Sequence, residues 1–207
     1  MKVAEMFFRD MYHQICLLID SKLADNFKSM LDLSDDDKLD GLLTYGYIDA
    51  TAGFTFGVLG GAKLDGERVK IFPLKYNEAA FVRRNAADEV ELRILTADYA
   101  LAFRDRIQMI NDGYFVGNAK EQTRMIKTLD AFRHPHYPDD VTVYFLDGEH
   151  KPELMWVRCV SVDENILTGE LLNEPRSDFD YHAGDEIKFG VAQVNGQNIL
   201  LNLPTKS

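Results

Sequence analysis

The sequence predicts an α+β protein in two parts: N-terminal helices with an antiparallel hairpin sheet, then a small five-stranded β module of barrel or sandwich type. Three observations carry this. Apolar residues step by three and four near the start and again around residues 96 to 133. Between these stretches lie runs rich in glycine, threonine and aromatic residues, with a tight-turn signal. Beyond the prolines Pro135 and Pro138, alternation replaces helical spacing. A chain of 207 residues suits one large domain or two small ones, and the change of period puts the division at 1–133 and 134–207.

Val3, Phe7, Phe8, Met11, Ile15, Leu18, Ile19, Leu23, Phe27, Met30 and Leu31 keep the helical period, with Arg9, Asp10, Gln14, Asp20, Lys22 and Lys28 between them. A long amphipathic helix packed on the protein's own core is expected there. Ser34 and Asp37, three apart, read as a capping box for a short second helix, with Asp35 to Asp37 favourable at its N-terminus. This aspartate cluster lacks the alternating ligands and closing glutamate of a calcium loop.

Residues 46 to 76 read as strands, with Asp65-Gly66 as a two-residue hairpin turn. "EVELRIL" (89–95) alternates as a further strand. The helix after it starts from a Thr96 cap, and the next starts from Asn118, with Met125, Ile126, Leu129 and Phe132 inward. Residues before proline avoid helical geometry, so this last helix should stop near Arg133. Five strands follow, at 141–146, 153–162, 165–172, 185–194 and 197–203, with Asn195-Gly196 turning the last pair.

Composition excludes several classes. Hydrophobic residues make up 46% of the chain and aromatic residues 11%, enough for a packed core rather than disorder. A net charge of -11, with basic residues scattered, argues against nucleic acid and anionic membranes. Cys16 and Cys159 sit among apolar neighbours without a CxxC pair, as buried thiols of a reducing compartment do. The N-terminus has no signal-peptide or membrane-span pattern, so a cytoplasmic location is expected.

The run "HPHYPDDVTVYFLDGEHKPELMWVRC", the "TGELLNEP" turn at 168–175 and "DFDYHAGDEIKF" at 178–189 resemble a family of small bacterial domains of unknown function. The resemblance covers about the last seventy residues. It implies a bacterial origin and a β-rich module, and it supplies no catalytic residues. The same elements also read as structure: Gly184 allows a positive-φ turn, Pro175 ends a strand, and Trp156 is expected to fill the core.

For chemistry, His134, His136 and Asp139 are the candidate metal ligands, because Pro135 favours the extended backbone that turns residues i and i+2 to one face. No HExxH or paired-cysteine motif supports them, and His134 is more simply a residue at a helix C-terminus. "FGVLGGAKL" lacks the spacing of a phosphate loop and reads as a strand or bulge. His13 and Cys16 are helical neighbours if the first helix holds, with the cysteine packed rather than nucleophilic. Glu170, Glu174, Asp178, Asp180, Asp185 and Glu186 can form an acidic surface.

The first functional expectation is therefore a non-catalytic binding or regulatory protein that presents this acidic surface to a protein partner with a basic surface, without a cofactor. Neutralising a basic toxin, an immunity-like role, is one concrete version. The alternative is a metal-dependent hydrolase using His134 and His136.

Overall fold

The computed structural model describes residues 1–34, 37–66, 68–76 and 79–203. The chain divides into two compact units, Met1–Phe115 and Val116–Ser207. Its architecture is α+β, with one antiparallel sheet and one closed barrel. Residues 116–133, grouped with the N-terminal region by periodicity alone, are part of the unit that contains the barrel.

The expected long N-terminal helix is not formed. Its place is taken by α1 (Phe8–Met11), β1 (Ile15–Ile19) and α2 (Ser21–Asp25), with single 3-10 turns before and after them. The helical count took in Ile15, Leu18 and Ile19 but passed over Cys16 and Leu17, which complete an unbroken apolar run. Such a run suits a strand covered on both faces. Cys16 and Leu18 enter the core on one side of the sheet, and Ile15 enters the cluster on the other. His13 (φ 58°) stops the first helix, and its N–H donates to the Gly46 carbonyl, opening the pairing with the next strand. Asp20 caps α2, its Oδ1 accepting from the Leu23 N–H at 2.9 Å.

Among the described residues, the second predicted helix is also absent. Ser34 does bond to Asp37, with its Oγ donating to the carboxylate at 2.6 Å, while Asp35 and Asp36 lie outside the described residues. From Gly41 the chain is instead β2 (Gly41–Asp49), whose first eight residues are all buried. β3 (Gly53–Asp65) and β4 (Arg68–Pro73) form the hairpin expected at Asp65-Gly66, with Asp65 paired to Arg68. The glycine-rich stretch is thus strand, as its spacing implies.

β5 (Phe81–Arg83) pairs with β3, α3 (Arg84–Ala87) follows, and β6 (Glu91–Ile94) pairs with β1. The sheet order is β4-β3-β2-β1-β6. Helices α4 (Asp98–Ala102) and α5 (Arg104–Tyr114) bring Tyr99, Phe103, Ile107 and Ile110 onto the face lined by Ile15, Leu43, Tyr45 and Leu59. Thr96 gives α4 no side-chain cap.

The second unit begins with α6 (Asn118–Met125). Gly117, at φ 96°, holds the cap position expected of Asn118. Ile126, Leu129 and Phe132 pack into the barrel core as predicted, but Met125 is exposed. A 3-10 turn, Lys127–Phe132, ends the helical segment just before Arg133.

The five strands are β7 (Asp140–Phe145), β8 (Glu153–Asp163), β9 (Ile166–Leu171), β10 (Glu186–Val194) and β11 (Gln197–Leu203). They close in the order β10-β11-β7-β8-β9. Asn195 and Gly196 both have positive φ, the geometry that lets a two-residue turn follow the twist of its strands. Among the described residues, no helix is long and apolar enough to cross a membrane.

Candidate functional site

"RHPHYPDD", residues 133–140, takes part in an ion-paired joint. Arg124 on α6 is fully buried, and its Nε and Nη2 donate to the two oxygens of Asp139 at 2.8 Å each. Its Nη1 donates to Glu121 at 2.6 Å. Next along the chain, Asp140 accepts a second fork from Arg158 on β8, at 2.7 and 3.0 Å. Arg133 donates to Asp130 and to the carbonyls of Thr123 and Pro138. Bidentate pairs of this kind are directional and strong; the Arg124 fork fixes the helical segment to the start of β7, and the Arg158 fork ties β8 to β7.

Of the predicted metal ligands, Asp139 thus has both oxygens engaged by Arg124. His134 lies beyond the helical segment, and its N–H donates to the Asp140 carbonyl. Its Nδ1 accepts from the backbone N–H groups of His136 and Tyr137 at 3.2 Å each. Burial, then the neighbouring His136, lowers its pKa below the ordinary imidazole value. The His134 and His136 rings are 5.7 Å apart. Among the described residues, no group of three or more His, Cys, Asp or Glu side chains is placed to hold a metal ion.

Both cysteines are buried and free. Burial pushes each thiol up to about 12, so neither supplies a thiolate at neutral pH. Cys16 lies on β1, and His13 stacks on Tyr12 and Tyr45, so the two are not the helical neighbours the sequence suggested.

The six acidic residues fall into two groups. Glu170 on β9 and Glu186 on β10 are exposed and directly opposite each other in the antiparallel register. Arg158, on the other side of Glu170, is the cation in that row. The other four lie in the connection between β9 and β10, where three are used by the loop itself: Asp178 Oδ1 accepts from the Asp180 N–H at 3.3 Å, and Glu174 and Asp185 hold the region of His182. Glu174 accepts from the Ala183 N–H at 3.0 Å and meets His182 Nδ1 at 2.6 Å. Asp185 accepts from the His182 N–H at 2.7 Å. Asp178 and Asp180 are exposed on either side of Phe179, which is buried against Phe145. Gly184, at φ 95°, makes the turn into β10 as the sequence implied.

Trp156 does not fill the core. Met155, Val157 and Cys159 point inward from β8, so by strand alternation Trp156 points out and is 36% exposed. It meets His134 edge-on, with ring centroids 5.2 Å apart. Leu154, Tyr144 and Leu201 stand in a cross-strand row over β8, β7 and β11, and Leu154 is half exposed. Both parities of β8 carry apolar residues, Leu154, Val160 and Val162 on the Trp156 side and Met155, Val157 and Cys159 on the other, so alternation in the sequence did not say which faces inward. The Arg124–Asp139 pairing joins residues fifteen apart through tertiary packing, which no local spacing encodes.

The N-terminal unit has a separate apolar cavity of about 460 Å³, lined by Ile71, Pro73, Asp98, Tyr99, Ala102 and Phe103.

No curated protein and no solved structure matches the chain. The N-terminal part has no family match. Residues 111–201, which hold α6, the ion-paired joint and nearly all of the barrel, match the family described as "Uncharacterized protein conserved in bacteria (DUF2314)".

Proposed function

We propose that the barrel unit is a non-catalytic protein-binding or regulatory module, acting in the bacterial cytoplasm, that presents an acidic outer surface to a partner with a basic one. The observation that carries this reading is Glu170 opposite Glu186, both exposed. Like charges directly opposite on antiparallel strands repel; of the adjacent cations, Arg158 is held at both ends of its fork by Asp140, and Lys188 stands diagonal to Glu170 rather than between the two carboxylates. A basic partner offsets that repulsion. The net charge of -11 adds long-range attraction for such a partner. The five strands close into a barrel, so recognition is expected to run through its outward side chains rather than strand addition. A basic toxin, neutralised in an immunity-like manner, fits this description.

The test compares the wild-type chain with Glu170→Gln/Glu186→Gln as immobilised bait in a bacterial lysate. The expected result is a basic protein that the wild type retains at low salt, that high salt releases and that the double variant fails to hold. If wild type and variant retain the same proteins, the reading is wrong.

A further inference from the structure

The acidic row has an aromatic neighbour with an open ring surface. Trp156 precedes Arg158 by two residues on the outer face of β8, and Arg158 is paired with Glu170. The indole therefore stands diagonal to Glu170, at the spacing long side chains bridge. Its backbone is tied to the segment that leads to Glu174. The Trp156 N–H donates to Asn173 Oδ1 at 2.8 Å, and its carbonyl accepts from the Leu172 N–H at 2.8 Å. Glu170 is thus the exposed carboxylate on the outer face beside the ring.

The ring is also held in place. His134 meets it at 64°, and two backbone N–H groups fix the His134 ring in turn. A cation over the ring is the arrangement its π face favours. Within the barrel, the arginine best placed to provide one, Arg158, is turned to Asp140 instead. Among the described residues, the cation–π contacts involve Phe8, Phe72, Phe81 and Phe54, and none involves Trp156.

We infer that Trp156 is the anchor of the proposed interface, stacking the guanidinium of an arginine-bearing segment of a protein partner whose charge is shared by Glu170 and Glu186. Arginine suits this better than lysine because its planar, weakly hydrated guanidinium stacks on an aromatic face while its N–H groups still reach carboxylates. The apolar row Leu154–Tyr144–Leu201 continues the surface beside the indole for the rest of such a segment. The inference rests on the acidic-surface reading and sharpens it to one side chain and one partner chemistry.

The chain carries a single tryptophan, so its fluorescence reports this position alone. The experiment titrates the full chain with a short arginine-glycine peptide, and with lysine-glycine and glutamate-glycine peptides of equal length. Emission, acrylamide quenching and calorimetry are followed at low and high salt. The arginine peptide should bind, shift the emission and shield the indole from acrylamide; the lysine peptide should bind more weakly, and the glutamate peptide not at all. Trp156→Leu should weaken arginine-peptide binding about three- to thirtyfold, with Trp156→Phe between.

Shielding is read on the wild-type chain, so the inference stays exposed to test even if a Trp156 variant fails to fold. If the arginine peptide binds, Glu170→Gln/Glu186→Gln weakens it, and yet the indole is neither shifted nor shielded, the tryptophan inference is overturned and the acidic-surface reading stands. Failure of every basic peptide to bind overturns both.

Discussion

Arg124 and Asp139 are buried together, with two charge-assisted bonds between them and a third from Arg124 to Glu121. Removing Arg124 leaves Asp139 without its counter-ion in the interior, a loss of about 3–5 kcal/mol, whereas removing Asp139 leaves Arg124 with Glu121 alone. Arg124→Met is expected to lower the unfolding free energy by that margin, Asp139→Asn by less because Glu121 still holds Arg124, and Arg158→Met, at a half-open pair, should also cost less. Chemical unfolding followed by circular dichroism measures all three, and Asp139→Asn as stable as wild type would remove the joint from the account. This role for Asp139 was not legible beforehand. The sequence shows a carboxylate close behind two histidines, and nothing local reveals that an arginine on the preceding helix has claimed it. Trp156 was no more legible, because Leu154, Val160 and Val162 share its parity while Met155, Val157 and Cys159 take the other, and alternation offers two apolar faces for one core.

Among elements, the segment between β9 and β10 holds its shape through Phe179 in the core and through ion pairs at the surface. The Glu174 hydrogen bond raises the His182 pKa, and Asp147 likewise raises that of His150. Glu174 is lowered by the Ala183 N–H and then by His182, and Asp147 falls to about 2 through its bonds to His150. Interactions that raise a histidine are fully present below its unfolded value of 6.5 and are lost as pH rises through the folded value. Those that lower the carboxylates are present above their unfolded values, 3.8 for Asp147 and 4.5 for Glu174, and are lost as pH falls. Both loop pairs are therefore complete between pH 4.5 and 6.5. Exposed pairs add little to global stability, so the effect is read locally, by NMR titration of the imidazole protons. His150 and His182 should titrate above 6.5 and His134 below it, and Glu174→Gln should bring His182 back down. Three histidines titrating together would contradict these pairings.

The same scale shows what a one-dimensional pattern can carry. The barrel strands were legible because each is half-buried and alternates, with turn residues between them. β1 was not, because a sheet covered on both faces erases alternation, and five consecutive apolar residues satisfy a helical count as easily as a strand.

For the whole molecule, two boundaries can be drawn: residue 134, where the period changes, and residue 116, where the contacts divide. They differ by α6 and the 3-10 turn, which look dispensable in a list of strands. They hold Arg124, whose guanidinium neutralises buried Asp139, and Leu129, which is fully buried in the barrel core. A fragment starting at residue 134 would carry Asp139 with no counter-ion and a core open where Leu129 and Phe132 pack. Small barrels have little stability to spare for such losses. The fragment 116–207 is expected to fold alone, with a cooperative thermal transition and a near-ultraviolet signal from Trp156 held against His134. The fragment 134–207 should lack both features. That the family match begins at residue 111 fits a unit defined by its helix as well as its strands. If the shorter fragment melted cooperatively at the same temperature as the longer one, the helical segment would be an addition to the barrel rather than part of its core, and the 3–5 kcal/mol assigned to the Arg124 joint would fall with it.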